Sequence, residues 1–483
     1  WASTASSLLC TGESVRLILG LLIVLACEPA LHDDEILEEI TPSDTATDSG
    51  SSDDEATLEP WIEALSVTES EHVSIILELD WTLSEALDTV WVEFRVTGEE
   101  WRSSRAQPGG SGPHTDLLLG LPGSTDVDFR LVGTREEQTL YGQVHQTRTG
   151  LIPLKLARPE LDRLDASLTH DADFMLGSVD MGSSWYSGPW WLFIMDRQAR
   201  IVWYYEIPDG NCSMFPRVSY DGTHVLFDRT SSYSHYDSGA TSSLWRMTLD
   251  QAWSQNLEIP GMAYTYSETA EGSIIHDNVL GTGSVDVMEI WPDGTTETLW
   301  SCSNDIYGYC GSNTTNWIES SDTVLFSMYW AATVVELDRK TGAVVAQYGQ
   351  AEGSYEFDDP SHGFEMQHFP GYPPDGTLLV HTHMPTEPDQ QRAYEYEIDH
   401  ENRRLELIWE FGEGYPEYAT YSGEAVRLDN GNTLINYGTE GEIREVTPDG
   451  QVAWEAAFPS HYLIGHTELI EDLYDLVEGP RER

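Results

Sequence analysis

Residues 422–455 read SGEAVRLDNGNTLINYGTEGEIREVTPDGQVAWE. Asn430-Gly431 and Asp449-Gly450 are turn dipeptides, because Asn, Asp and Gly reach positive φ at low cost. Short runs of Val, Ile, Leu and Trp flank each turn, so the stretch is two β-hairpins in tandem. The second hairpin has five relatives upstream: LFIMDRQARIVWYY, LWRMTLDQAWSQNLEI, VMEIWPDGTTETLW, TVVELDRKTGAVVAQY and YEYEIDHENRRLELIWEF. The turn aspartates of the six units are Asp196, Asp250, Asp293, Asp338, Asp399 and Asp449. They are spaced by about 50 residues, the length of one propeller blade. The first hairpin recurs at about the same spacing, with turns at Asp221-Gly222, Glu271-Gly272, Asp322-Thr323 and Asp375-Gly376.

Two hairpins make a four-stranded blade, and six repeats predict an all-β chain with a six-bladed β-propeller over residues 165–475. YLIGHTELIEDLY (462–474) has no outer hairpin after it and is expected to close the ring by adding a strand to the first blade. Before the repeat, VSIILELDWTL (73–83), TVWVEFRVTG (89–98) and LLLGLPGSTDVDFRLVG (117–133) alternate as half-buried strands. An early Trp and the Leu-Pro-Gly turn resemble a small fibronectin type III or immunoglobulin-like sandwich over 61–150.

The N-terminal segment reads differently. VRLILGLLIVLAC (15–27) is one Arg and a short apolar run, too short to span a bilayer and typical of a secretory leader. Its ending, Val24-Leu25-Ala26-Cys27, resembles a lipobox, which makes Cys27 the expected lipidation site; an ordinary leader with a chance Cys is the alternative. The first 14 residues, without Met, read as sequence upstream of that leader within 1–27. Residues 28–60 hold 12 acidic residues and no Lys or Arg, a self-repelling tether. The expectation is an exported periplasmic or cell-surface lipoprotein that meets the membrane only through its anchor.

The net charge of −59 offers few cations to neutralise phosphates, which argues against nucleic-acid partners. Cys302 and Cys310 bracket a short loop and pair as a disulfide in an oxidising compartment, or stand as two thiols in a reducing one. No CxxC pair marks a structural zinc site.

QHFPGYPPDGTLLVHTH (367–383) places three histidines around one inner hairpin, whose strands line a propeller's channel. A two-residue turn at Asp375-Gly376 pairs His368 with His383 and Phe369 with Thr382; a bulge at Pro373-Pro374 substitutes His381. A histidine pair there serves as a metal site, as a nucleophile with a partner, or as a hydrogen-bonded structural pair. No third ligand shows clear spacing, so neither a metal nor another cofactor is expected.

QHFPGYPPDG, RAYEYEIDHENRRLELIWEFG (392–412), SSDTVLFSMYWAATVVELDRKTG (320–342) and the opening stretch together resemble the bacterial arylsulfate sulfotransferase family. The family pattern Gln-His-Asp-Ala-x-x-Leu-Pro-Asn-Gly-Asn keeps the same distance from His to Gly. The resemblance implies sulfuryl transfer from a phenolic sulfate ester to a phenol through a sulfohistidine, with His368 in the nucleophile's position. His383, His381 and His276 are the candidate partners. Where the family has further channel histidines, this chain has Tyr264 and Ser312 or Asn313; where it has an Arg, this chain has Tyr329 or Trp330. Tyr264, Asn313, Tyr329 and Arg217 are therefore the expected substrate contacts, with Arg229 and His466 as further sources of charge. The rival reading is a catalytically inactive propeller that binds a ligand or protein partner.

Overall fold

The computed structural model turns the repeat into six sheets, one per blade, antiparallel except where Glu356–Phe357 adds a parallel outer strand to blade five. It describes residues 59–182, 187–231, 241–279, 285–303, 307, 310–384, 390–413, 419, 422–459 and 462–480. The leader, Cys27 and nearly all of the acidic tether lie outside the described residues. Blades two, three and four are runs of four consecutive strands, from Arg217–Val218 to Ser254–Glu258, Met262–Glu268 to Thr296–Ser301, and Ser312–Ile318 to Val344–Gly349. Blade five runs from His368–Gly371 to Arg404–Phe411, and blade six from Glu424–Arg427 to Val452–Ala457.

Both ends of the repeat close it. Leu463–Ile470 forms the innermost strand of blade one, antiparallel to Phe174–Asp180, as the missing outer hairpin foretold. Glu160–Leu164 adds a fifth, outermost strand to blade six, pairing Glu160 with Ala457. Its sequence, ELDRL, has no apolar alternation to announce a strand, because an outer edge buries little.

Inter-blade bonds follow the repeat. Each turn aspartate caps its own turn: Asp196 accepts from the amides of Gln198 and Arg200, Asp250 from Ala252, Asp293 from Thr295, Asp338 from Thr341 and Asp399 from Asn402, while Asp449 accepts from the side chains of Thr447 and Gln451. The six aspartates are therefore structural. Tryptophans on outer strands latch onto the next blade's turn. The Trp203 indole donates to Leu249 O at 2.7 Å, Trp409 to Pro448 O at 3.0 Å and Trp454 to Arg197 O at 2.9 Å. Buried ion pairs add to these, notably Arg339 with Glu289 and Arg197 with Glu445.

The N-terminal strands form two sheets, one from Ile62–Glu69, Leu77–Leu83 and Gly112–Leu118, the other built on Thr89–Val96 and Asp126–Arg135. Leu79, Trp81, Val92, Phe94 and Phe129 from both sheets share one core. Val73, Ile75, Ile76 and Leu119 belong instead to the core around Phe174 and Trp191 of blade one, so sandwich and propeller are packed together. Arg105 adds ion pairs to Asp472, Asp475 and Glu478 beyond the closing strand.

Candidate active site

Blade five's inner hairpin decides the site. Gly376 N donates to Pro373 O at 2.9 Å, so the turn is Pro373–Gly376 with Pro374 and Asp375 at its centre. This shifts the register by one from the expected two-residue turn and pairs Gly371 with Leu379. A bulge between His368 and Gly371 shifts it again, and His368 faces His381. The expected pairing with His383 is thereby corrected, and the irregularity lies at Phe369 (φ 45°) rather than at the two prolines. Phe369 N is held in that turn by Thr314 Oγ1 of blade four at 3.0 Å.

The bulge gathers all three imidazoles. Ring centroids lie 4.8 Å apart for His368 and His383, 5.4 Å for His381 and His383, and 6.4 Å for His368 and His381. One ring nitrogen from each lies within 4.8 Å of the others, so the third metal-type ligand that spacing did not reveal is present. His368 Nδ1 is 3.1 Å from Met366 O, and His383 Nδ1 is 2.9 Å from Ala419 O. A carbonyl can only accept, so both Nδ1 atoms carry the proton and both lone pairs sit on Nε2. Burial pushes His368 and His381 well below the usual imidazole range, reinforced by the neighbouring rings, and pushes His383 down to about 4. All three rings are neutral at pH 7.

Gln367, fully buried, anchors this cluster. Its Nε2 donates to Ser327 Oγ, Met328 O and Thr333 O at 3.0–3.1 Å, and its own carbonyl accepts from Asn313 Nδ2 at 2.6 Å. On the other side Gly423 (φ 128°) lies against the His381 ring, where a Cβ would come within 2.2 Å of Cε1.

His368 lines a cavity of about 110 Å³ together with Tyr264, Ser312, Asn313, Tyr329, Trp330 and Phe369. Tyr329 meets His368 edge-on at 5.2 Å. Tyr264, Asn313 and Tyr329, the expected substrate contacts, are thus among the lining residues. His276 is not among them, and its Nδ1 bonds Asp277 O at 2.8 Å. Its neighbour Asp277 instead holds two residues of the wall. Asp277 accepts from Tyr264 N at 3.1 Å and from Ser312 Oγ. Arg217 is also displaced from the expectation. It lines a separate cavity of about 560 Å³ with Arg427, His466 and Glu468, and Phe369 borders both. His466 is committed to Glu424 at 2.6 Å and stacks on Phe369. Arg229 pairs with Asp209. Among the described residues, no Arg or Lys lines the histidine cavity.

Residues 298–459 match the arylsulfotransferase (ASST) family. This region is arylsulfotransferase-like. It runs from the outer strand of blade three to the end of blade six and contains the whole histidine hairpin. Among solved structures, the chain is similar to a protein of unknown function from Bacteroides caccae at 14% identity, covering 59% of this chain and 93% of that one, with a TM-score of 0.39. A catalytically inactive virginiamycin B lyase from Staphylococcus aureus is 13% identical over 62% of this chain and 89% of its own, with a TM-score of 0.36. Among curated proteins none matches. Two residues that shape the arylsulfotransferase-like site, Asp277 and Gly423, escaped the sequence reading. The only signal for the first was its place beside His276 on an alternating strand.

Cys302 and Cys310 are joined as a disulfide at the blade-three to blade-four crossing.

Proposed function

We propose that the chain is an arylsulfotransferase-like enzyme that moves a sulfuryl group from a phenolic sulfate ester to a phenol through His368. The observation that carries this is the neutral His368 at an aromatic cavity inside the arylsulfotransferase-like region, with Nδ1–H committed to Met366 O. That bond leaves the Nε2 lone pair as the nucleophile. Nε2 attacks sulfur, the sulfur–oxygen bond to the aryl group breaks, and the phenolate leaves with that electron pair. The oxygen of a second phenol then takes the sulfuryl group, the N–S bond breaks, and the pair returns to Nε2. The neutral rings of His381 and His383 are the nearest bases for the acceptor's proton. Tyr264, Tyr329 and Trp330 offer faces on which a phenyl ring stacks.

Incubation of the purified chain with a chromogenic phenyl sulfate and a phenol acceptor tests this. Phenol release is expected from wild type, and a loss of at least about 1,000-fold is expected from His368→Ala. No release from wild type, or unchanged release from the variant, rejects the assignment. One observation favours the rival, a non-catalytic binding propeller: among the described residues, the cavity lining holds no Arg or Lys to meet an anionic ester. Binding of the aryl sulfate without turnover would identify that case.

The leader-like run ending at Cys27 and the acidic tether after it support export and lipid anchoring. Incorporation of labelled fatty acid that survives in Cys27→Ala would reject the anchor.

A further inference from the structure

We propose that His368, His381 and His383 form a binding site for one divalent transition-metal ion, with an open coordination position toward the aromatic cavity. This goes beyond the sulfuryl-transfer reading and does not depend on it.

Three observations carry it. The ligating nitrogens of the three rings already lie within 4.8 Å of one another. With zinc–nitrogen bonds of about 2.0–2.1 Å, a tetrahedral site needs them about 3.3 Å apart, a gap that small ring rotations close. Second, two of the rings are oriented as metal ligands are. His368 and His383 donate Nδ1–H to the carbonyls of Met366 and Ala419, which presents Nε2 as the ligand and fixes its tautomer. Third, His381 has no solvent exposure, and neither Nδ1 nor Nε2 has a hydrogen-bond partner among the described residues. A wholly buried imidazole with two unpaired nitrogens is costly to keep without a ligand. Gly423 lies close to that ring, where a Cβ would come within 2.2 Å of Cε1.

The chemistry of the donor set selects the ion. Three neutral imidazoles suit zinc, cobalt, nickel or copper, whereas magnesium and calcium take oxygen ligands. His368 is the member of the triad that lines the cavity, which puts the remaining coordination position on that side. There the ion supplies the positive charge that the lining side chains lack. It also takes the His368 lone pair. Metal loading and sulfuryl acceptance therefore exclude each other, a consequence that rests on the proposed function.

The test is a titration of the metal-stripped full chain with cobalt(II), in excess magnesium to occupy the surface carboxylates. The expected result is an intense visible absorption of low-coordinate cobalt that saturates at one equivalent and is displaced by zinc. His381→Gln is expected to weaken the affinity at least 10-fold, with far-UV circular dichroism checking its fold. Wild type that shows only the weak spectrum of six-coordinate cobalt overturns the site, whatever the variant does. Unchanged affinity in a folded His381→Gln overturns it as well. The phenol-release assay separates the two readings. Metal binding by a chain that shows no sulfuryl transfer even when metal-stripped rejects the proposed function alone, and transfer by a chain that binds no metal rejects the metal site alone. Transfer undiminished by one equivalent of bound zinc overturns the exclusion.

Discussion

Gln367 shows how one side chain places another. Its side-chain amide donates from blade five to three acceptors on blade four, and its main-chain carbonyl accepts from Asn313. Gln367→Ala removes the donor for buried acceptors, at about 1–3 kcal/mol. The expected outcome is a lower urea midpoint and a fall in kcat with little change in KM, because the ring moves while the cavity walls remain. Gly423→Ala combines a positive φ with a Cβ inside the His381 ring, and a lower Tm is expected by calorimetry. Glu424 carries a pH dependence. Burial pushes its carboxyl up, but His466 and Thr467 outweigh that and hold it below the ordinary 4.5. A depressed folded value adds stability that is present above pH 4.5 and lost as pH falls through the folded value. Glu424→Gln should therefore flatten the acid limb of a stability profile in that window, read by urea unfolding at stepped pH. His368 was legible at this scale from its distance to the turn glycine. The part played by His381 was not, because two one-residue register shifts separate the string from the pairing.

At the scale of the element, the repeat is written in local chemistry. A turn aspartate needs only its own next few amides, so all six turns could be read directly. The tryptophan latches needed the neighbouring blade. Trp203→Phe keeps the packing and removes the indole donor to Leu249 O, with an expected loss of about 0.5–1.5 kcal/mol by denaturant unfolding. Arg339 is sharper. It bonds Glu289, Glu271 and Asp322 and is nearly buried. Arg339→Ala strands Glu289, which is almost wholly buried, and about 3–5 kcal/mol is the expected cost. The double variant Arg339→Met with Glu289→Leu should recover most of that loss if the stranded charge is the cause. His276 and Asp277 illustrate the limit of reading an element alone. Alternation says that the two face opposite ways, but not which way is the cavity.

At the scale of the molecule, the ring depends on two remote segments. Removing Leu463–Ile470 deletes the innermost strand of blade one and is expected to abolish cooperative unfolding. Removing Glu160–Leu164 strips only an outer edge and should lower Tm while keeping one transition. The charge of −59 works against compaction everywhere, so Tm should rise as sodium chloride screens it from about 10 mM to 1 M.

From the string alone followed the all-β class, the six-bladed repeat, the closing strand and the sandwich. Each rests on turn chemistry and apolar alternation, which act over a few residues. Only the folded ring decided which histidines meet, which cavity Arg217 enters and which side of blade three walls the site. Those outcomes depend on a bulge held by Thr314 and on packing between blades some 50 residues apart, and no local pattern encodes a contact across that distance.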